Sequence, residues 1–281
     1  MSTSVLQDLF SGSVAGGAGM ILGHPLDTMK VRMQANPAEF PTLMKSFKKT
    51  LSNEGMRGLF KGLAPPLGSI AIYQAVCFAS FSPALAMLTP KPAAQSTPNH
   101  LFLAGCASGL ATVAVTTPTD LLKIRMQTET AKGAKGGMGE IKRMLLNIIR
   151  SGGLTGLYKG ASATAIRDTW STGLYFVVYH KFSRRGKEGG YNEDLVELIA
   201  GGVAGMTAWG LCLPADVVKT RFQASSGAAS WLGTLSSIIK SEGYGALFTG
   251  AAPLLSRAFI VNAVTFWTYE KVNKKLNDNR N

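Results

Sequence analysis

The sequence is poor in charged residues, and above all in acidic ones. Only 16% of its 281 residues are charged, whereas 46% are hydrophobic. Lysine and arginine number 29 against 16 aspartates and glutamates, so the formal net charge is +13. A low charge content combined with many apolar residues argues against a disordered chain and favours one that meets lipid.

Cysteine and histidine are also scarce. Cys77, Cys106 and Cys212 lie far apart in apolar stretches, which excludes the closely spaced ligand sets of zinc sites. The three histidines have no nucleophile or metal-ligand partner at a useful spacing, so nothing favours an enzyme. The N-terminal residues carry neither a basic segment followed by a cleavable apolar run nor an arginine-rich transit pattern. We therefore predict no secretory signal, metal, cofactor or enzymatic activity.

The basic residues are not spread evenly. Most of the excess lies between Lys30 and Lys61 and between Lys123 and Lys159, with a weaker third block. An RNA-binding module would interleave aromatic residues with these bases, and no such pattern is present. We expect no nucleic-acid partner.

A pattern of eleven residues occurs three times, over 24–34, 117–127 and 213–223. Five positions hold the same residue in all copies, in the order Pro-x-Asp-x-x-Lys-x-Arg-x-Gln. A GxxxG pair precedes each proline at the same distance, which predicts that the first helices of the repeats approach their neighbours at equivalent points. These pairs are Gly12 and Gly16, Gly105 and Gly109, and Gly201 and Gly205.

The repetition predicts three units, 1–93, 94–189 and 190–281. Each should contain a long helix, a basic loop with a short amphipathic helix, and a second apolar helix. Each long helix exceeds the ~20 residues that a bilayer requires. We expect an all-α membrane protein in which six transmembrane helices form a pseudo-threefold barrel, with the basic loops on one side and both termini on the other. The predicted spans are 6–34, 65–88, 100–127, 161–182, 194–223 and 253–275.

The three prolines, Pro25, Pro118 and Pro214, should kink the first helix of each repeat, because proline removes a backbone hydrogen bond. The Asp and Lys that follow are three residues apart, so a pair within one helix is one possibility. Ionisable groups at membrane depth usually face a watery interior, so the Asp of one helix could instead meet the Lys of the next and close a ring. We predict that this ring is a gate, formed by Asp27, Lys30, Asp120, Lys123, Asp216 and Lys219.

The three motif copies resemble the mitochondrial carrier family, the three-repeat solute carriers of the mitochondrial inner membrane, over the whole chain. The resemblance implies alternating access, termini toward the cytosol, and short helices in the matrix. It also implies that Gln34, Gln127 and Gln223 brace the closed matrix gate beneath the Asp–Lys pairs. We expect a monomer whose partners are a small-molecule substrate and membrane lipid, including cardiolipin on the matrix side.

The chain departs from the family pattern in two kinds of place. Gly152 stands where repeat 2 should have an acid, and Thr249 where repeat 3 usually has a base. The gate expected on the cytosolic side lacks most of its charges, which predicts a weak lock and permits uniport as well as exchange. Its positions hold Phe81-Ser82, Tyr179-His180 and Tyr269-Glu270.

The resemblance also implies substrate contacts at one level of the second helices. These positions are Ser69 with Tyr73, Arg167-Asp168, and Arg257. The Arg-Asp pair is similar to the carnitine and amino-acid (ornithine-like) branch. Asp168 would hold an ammonium group while Arg257 binds a carboxylate with two donors. The alternative is that Arg167 and Asp168 only pair with each other.

Tyr73 stands where ornithine-type carriers have a glutamate. Tyr73 and Trp170 could instead hold a methylated ammonium group on their aromatic faces. This favours carnitine-like or methylated amino-acid substrates, with basic amino acids second. The alternative for both Trp170 and Trp209 is a packing or interfacial aromatic residue, and this is our interpretation of Trp209. Another amino acid, a choline-like solute, or a carrier fold kept for proton leak or scaffolding are the alternatives.

Overall fold

The computed structural model describes residues 3–89, 97–129, 137–225 and 230–278, and no strand occurs among them. The prediction of an all-α fold is confirmed. Two short 3-10 helices, Leu154–Tyr158 and Tyr244–Phe248, follow the second and third short helices. The α-helices are α1 (Thr3–Ala35), α2 (Leu43–Leu59), α3 (Ala64–Leu88), α4 (Pro98–Thr128), α5 (Met138–Gly152), α6 (Ala161–Glu188), α7 (Glu193–Leu211), α8 (Leu213–Ala224), α9 (Trp231–Glu242) and α10 (Ala251–Asp278).

The long helices form a closed ring. In order around the ring they are α1, α3, α4, α6, the α7–α8 pair and α10, and α10 contacts α1 again. At one end of the ring α1, α4 and α8 also contact one another pairwise, so the first helices of the three repeats converge there. The short helices α2, α5 and α9 contact the same three helices, and we call this end the short-helix end.

Only part of the ring meets a simple test for a membrane span. Among the described residues, α3 and α4 are long and apolar enough to cross a bilayer, and the bent α7–α8 pair would be a third if it counts as one span. The other long helices fall short of the test. The predicted barrel, with one face of each helix toward lipid and the other toward water, accounts for this result because an inner face that carries charges lowers the mean hydropathy.

The predicted single helix over 194–223 is wrong at one point. The chain bends by 62° between α7 and α8 at Cys212. Pro214 has no N–H to donate to the carbonyl of Gly210, so it cannot continue α7, and it lies instead in the first turn of α8, where proline is tolerated. By contrast, α1 and α4 continue through Pro25 and Pro118, where the predicted kinks stay predictions.

Apolar clusters hold the short helices against the ring. Met144 and Ile148 of α5 pack on Leu121, Leu122 and Met126 of α4. This contact fixes the loop between α5 and α6, and hence the start of α6. An equivalent cluster holds α9 and contains Val218, Ile238 and Leu247.

Helices α4 and α6 approach each other closely through glycine. A Cβ atom on Gly109 would lie 2.4 Å from the backbone oxygen of Asp168, and one on Gly105 would lie 2.8 Å from the Cα of Gly173. Neither distance is compatible with a side chain, so the two backbones touch here. This contact sets the position of Asp168 on α6.

The other two repeats do not share this approach. A Cβ on Gly205 would meet nothing within 4 Å, and one on Gly16 would meet only a methyl group of Ile70 at 3.4 Å. In α1 the tight glycines are Gly19 and Gly23, and their neighbours belong to α10. The predicted equivalence of the three GxxxG pairs is therefore wrong, because α1 makes its closest contacts with α10 and not with the second helix of its own repeat.

Replacing Gly109 with alanine should destabilise the protein. The new methyl group must push α6 away from α4, and overpacking of this kind costs about 1–3 kcal/mol. The measurement is the thermal unfolding midpoint of the purified protein in detergent. Gly205→Ala at the equivalent position is the control, and it should leave the midpoint unchanged or raise it, because alanine favours helix over glycine by about 1 kcal/mol. Equal effects of the two variants would contradict the close α4–α6 contact.

Candidate functional site

Three ion pairs join the helices that converge at the short-helix end. In each pair the Asp and the Lys belong to different repeats, and neither is paired with the residue three positions away in its own helix. Lys219 is only 1% exposed in its side chain, so this pair in particular is shielded from water. The pairs are Lys123 Nζ with Asp27 Oδ2 at 2.8 Å, Lys219 Nζ with Asp120 Oδ2 at 2.5 Å, and Lys30 Nζ with Asp216 Oδ2 at 2.7 Å. We call these six residues the Asp–Lys ring.

Two arginines from the second helices of their repeats bind the same aspartates. Arg167 of α6 lies 3.1 Å from Asp216 Oδ1 and 3.4 Å from Asp120 Oδ2. Arg257 of α10 forms an ion pair with Asp27, with Nε 2.7 Å from Asp27 Oδ1. The Nε–H does not point toward that oxygen, so the contact is not a hydrogen bond. Each aspartate of the ring therefore has both a lysine and an arginine as partners.

Asp168 is buried and has two partners. One is Arg167, at 2.5 Å from Asp168 Oδ1, and the other is Thr116 of α4, whose hydroxyl donates to Asp168 Oδ2 at 3.0 Å. The pairing of Arg167 with Asp168 that we considered as an alternative is present, but Arg167 also reaches the ring. Thr116 was not among the predicted site residues, although it lies four residues before Asp120 and hence on the same helix face.

Ser69 and Tyr73 lie on α3 and are both partly buried. The Ser69 hydroxyl donates to the backbone oxygen of Pro66 at 3.1 Å, within its own helix. Tyr73 lies within electrostatic range of Asp168, Arg167 and Asp120. Tyr73 thus shares the space of the charged cluster, whereas a substrate contact for either residue stays a prediction.

The side chain of Trp170 does not line the predicted substrate site. Its side chain is 56% exposed and packs on Phe102, with ring centroids 5.6 Å apart. Two residues along a helix correspond to a turn of about 200°, so Trp170 points almost opposite to Asp168. The expectation that Trp170 lines the site with Tyr73 is therefore wrong.

Trp209 of α7, by contrast, faces the charged cluster. Its ring lies 5.0 Å from the guanidinium carbon of Arg257 and 5.6 Å from Lys30 Nζ, both as cation–π contacts. Our interpretation of Trp209 as a simple packing residue was wrong. No reliable signal for this position existed in the sequence, because the break at Cys212 lies between Trp209 and Asp216 and interrupts the helical periodicity.

The three glutamines of the motif do not behave alike. Gln34 donates to Asp216 Oδ2 at 3.1 Å, directly at an ion pair of the ring. Gln127 donates instead to the hydroxyl of Thr28 at 3.1 Å, and Gln223 donates to a backbone oxygen just before α6. All three glutamines were expected to contact the Asp–Lys pairs. Of their hydrogen bonds within the described residues, only that of Gln34 reaches such a pair.

Aromatic side chains occupy the ring end opposite the short helices. Phe81 of α3 stacks on Phe176 of α6 with centroids 3.8 Å apart, and Tyr175 stacks on Tyr179 at 6.0 Å. Phe81 and Tyr179 are positions where the family resemblance implies an aromatic residue followed by an acid. The third position, Tyr269-Glu270, has side chains outside the described part of the chain.

The central cluster holds five cations and four carboxylates, with a net charge of +1 from 5 − 4. The cations are Lys30, Lys123, Lys219, Arg167 and Arg257, and the carboxylates are Asp27, Asp120, Asp168 and Asp216. Within the described ranges, no group of three or more His, Cys, Asp or Glu side chains could hold a metal ion. The donors left by such a cluster suit a small anionic group.

Comparison with known proteins agrees with this arrangement. The sequence profile described as "Mitochondrial carrier protein" matches the chain three times, over residues 2–91, 94–188 and 193–280. The chain is 34% identical to human solute carrier family 25 member 45, covering 94% of this chain and 97% of that relative. It is 32% identical to the human mitochondrial carnitine/acylcarnitine carrier protein, covering 98% and 95%, and 33% identical to a mitochondrial arginine transporter of Arabidopsis thaliana, covering 96% and 91%. The chain therefore belongs to the mitochondrial carrier family, whose members are transporters of the mitochondrial inner membrane and not enzymes.

Proposed function

We propose that this carrier moves a small zwitterionic or cationic metabolite, such as a carnitine-like compound or a methylated or basic amino acid, by alternating access. The observation that carries the proposal is that both arginines at the predicted substrate level are ion-paired to aspartates of the Asp–Lys ring. A substrate carboxylate that binds Arg257 competes with Asp27 for the same guanidinium. Substrate binding and the stability of the ring therefore depend on the same donors.

The charge of the cluster favours one class of solute. With a net charge of +1, the cluster attracts a carboxylate, and a buried unpaired cation is costly at membrane depth. A zwitterion supplies its carboxylate to Arg257 and its ammonium to Asp168 without changing the net charge. A basic amino acid and choline would both raise the net charge to +2 from 1 + 1, but only the amino acid supplies a carboxylate to Arg257. A dianion would place a second carboxylate near Asp168.

The relatives support the same class. One is named as a carrier of carnitine and acylcarnitine and another as an arginine transporter. Both kinds of substrate carry a carboxylate and a cationic nitrogen. The preference for a methylated ammonium now rests on Tyr73 alone, because Trp170 faces away from the site; one aromatic face contributes about 0.5–2 kcal/mol.

We further propose that the Asp–Lys ring is the matrix gate and is closed here, with the termini toward the cytosol. Three pairs of about 1 kcal/mol each, in a partly hydrated site, bias the closed state by roughly a hundredfold. The stack of Phe81 on Phe176 is an uncharged contact at the other end, which fits a weak cytosolic lock. A monomer with cardiolipin on the matrix side remains our expectation. Proton leak or scaffolding alone would need no carboxylate-binding arginine at the predicted substrate level, so Arg167, Asp168 and Arg257 together favour transport.

Removing either end of the proposed substrate site should reduce transport selectively. Arg257→Gln should lower carnitine uptake into liposomes by about 10-fold or more, because a charged hydrogen bond contributes about 1.5–3 kcal/mol. Asp168→Asn should have a similar effect on carnitine and lysine. Uptake is measured with labelled carnitine, lysine, choline and glutamate.

The matched control for this experiment is Trp170→Leu, which changes an outward-facing residue near the same level of α6 and should leave uptake unchanged. Unaltered transport in Asp168→Asn would show that Asp168 only pairs with Arg167. Transport of glutamate in preference to the other three solutes would contradict a zwitterion site.

The ring itself is testable by a double-mutant cycle of Asp27→Asn and Lys123→Gln. Asp27→Asn leaves both Lys123 and Arg257 without their carboxylate partner, whereas Lys123→Gln leaves Asp27 paired with Arg257. Asp27→Asn should therefore lower the thermal midpoint more than Lys123→Gln does. The coupling energy should be about 1 kcal/mol. Lys187→Gln, at an exposed pair with Glu197, is the control and should change the midpoint little. Strictly additive effects of the two ring variants would mean that Asp27 and Lys123 do not interact.

A further inference from the structure

In repeat 1 an acid at the end of the short helix neutralises two cations. Glu54 of α2 lies 2.7 Å from Arg32 and 2.5 Å from Lys61, and all three side chains are buried. Burial opposes ionisation of this carboxyl, but the hydrogen bonds from Arg32 and Lys61 outweigh it and hold the pKa of Glu54 below its ordinary value. Lys61 Nζ also donates to the backbone oxygen of Glu129 at 3.1 Å, so its ammonium binds a carbonyl and a carboxylate together.

Repeat 3 keeps the acid and loses one cation. Arg221 donates two hydrogen bonds to Glu242 of α9, and Thr249 stands where repeat 1 has Lys61. In both repeats the arginine also reaches the first helix of another repeat at the short-helix end. Arg32 Nε donates to the backbone oxygen of Gln127 at 2.9 Å, and Arg221 Nε donates to that of Gln34 at 2.8 Å.

Repeat 2 keeps both cations and loses the acid. Lys159 donates to the backbone oxygen of Ser225 and lies 5.0 Å from the ring of Phe222, so it keeps the carbonyl contact that Lys61 has. Arg125 and Lys159 correspond to Arg32 and Lys61. Those two cations meet at Glu54 in repeat 1. In agreement with this placement, burial, and then the nearby charge of Arg125, lower the pKa of Lys159 below its ordinary value. Gly152 stands at the position of Glu54.

Arg125 has no replacement acid. It makes no hydrogen bond or ion pair with any residue in the described ranges, although it is only partly exposed. The segments 130–136 and 226–229 contain no aspartate or glutamate in their sequence. Two neighbouring cations therefore stand at this point without the counter-charge that both other repeats provide.

The backbone brings position 152 to the place that the acid occupies elsewhere. The next residue is glycine in every repeat, with φ and ψ of 68° and −168° at Gly55, 64° and −167° at Gly153, and 80° and 176° at Gly243. Such positive φ values favour glycine. A Cβ on Gly152 would meet nothing within 4 Å, so the space beside it is open.

We propose that Arg125 and Lys159 bind a phosphate-type oxyanion in the place that Glu54 fills in repeat 1. Arginine offers a planar pair of donors and lysine a compact charge, and both suit the several oxygens of a phosphate. Lys159 can bind the anion without giving up its carbonyl contact, because Lys61 binds a carbonyl and a carboxylate at the same time in repeat 1. A bound anion would tie the end of α4 to the start of α6, and through Lys159 to the end of α8. This site is separate from Arg257 and the Asp–Lys ring.

Phosphate should stabilise the purified full-length protein in neutral detergent more than chloride does at the same ionic strength. We expect the thermal midpoint to rise by roughly 2–4 °C. Gly152→Glu supplies the missing carboxylate, so it should start with a higher midpoint in chloride and gain nothing further from phosphate. Arg125→Gln should also lose the response.

Two controls keep the comparison matched. Gly152→Gln has the same size without the charge, and Gly139→Glu adds the same charge elsewhere on α5, where a Cβ also meets nothing within 4 Å. Both should retain the response. Nanodiscs of phosphatidylcholine with and without phosphatidylglycerol, in phosphate-free buffer, separate the sources. Stabilisation by the anionic lipid that is present in the natural sequence and in Gly152→Gln but lost in Gly152→Glu identifies a headgroup phosphate at this site. A full phosphate response in Gly152→Glu, or no response of the natural sequence to phosphate or anionic lipid, would overturn the proposal.

Discussion

The structure depends on one constraint, which is that charges at membrane depth need partners. Four carboxylates and five cations form two ion-paired groups, which together join α1, α4, α6, α8 and α10. Asp27 with Lys123 and Arg257 is one group. Trp209 lies between it and the other group through its contacts with Arg257 and Lys30. Each unpaired member would carry a large desolvation cost, so these helices must converge at one level. The break before Pro214 and the glycine contact that positions Asp168 are the local features that let the helices do so.

In the proposed function, these ion pairs hold the matrix gate closed. At about 1 kcal/mol each, net of the cost of desolvating the charges, the three ring pairs contribute roughly 3 kcal/mol, whereas a solute that binds with millimolar to micromolar affinity contributes about 4–8 kcal/mol. Substrate binding is therefore strong enough to offset the ring, provided that it is directed at the same groups. Arg167 and Arg257 provide this direction, because each already binds an aspartate of the ring. A solute that bound elsewhere in the barrel would not compete for these arginines and would not shift the equilibrium away from the proposed closed state.

Much of the architecture followed from the repeated motif. Proline, aspartate and lysine at fixed offsets predicted the long helices and which side chains face inward, because those properties depend on the residues of one helix. The sequence could not predict that Arg167 binds Asp120 and Asp216 while Arg257 binds Asp27. These contacts depend on how the second helix of each repeat is rotated against the first. For the same reason Trp170 was placed wrongly, and the three predicted GxxxG pairs were not equivalent: α4 meets α6 at Gly105 and Gly109, whereas α1 meets α10 at Gly19 and Gly23.

The three repeats share a backbone but differ in their charged residues. The contacts between the first helices of two repeats, which we call seams, therefore differ as well. An arginine from one repeat reaches a glutamine carbonyl of another between α1 and α4 and between α8 and α1, and an acid holds each of these arginines in place. Between α4 and α8 the described residues show no such contact from Arg125, because Gly152 provides no acid to hold it. That seam relies on the pair of Lys219 with Asp120, on Arg167, which binds both Asp120 and Asp216, and on the bonds of Gln223 and Lys159 to backbone oxygens. An anion beside Arg125 would add a link at the seam that lacks the arginine contact of the other two. It would favour the proposed closed state by as much as it binds that state more tightly than the open one.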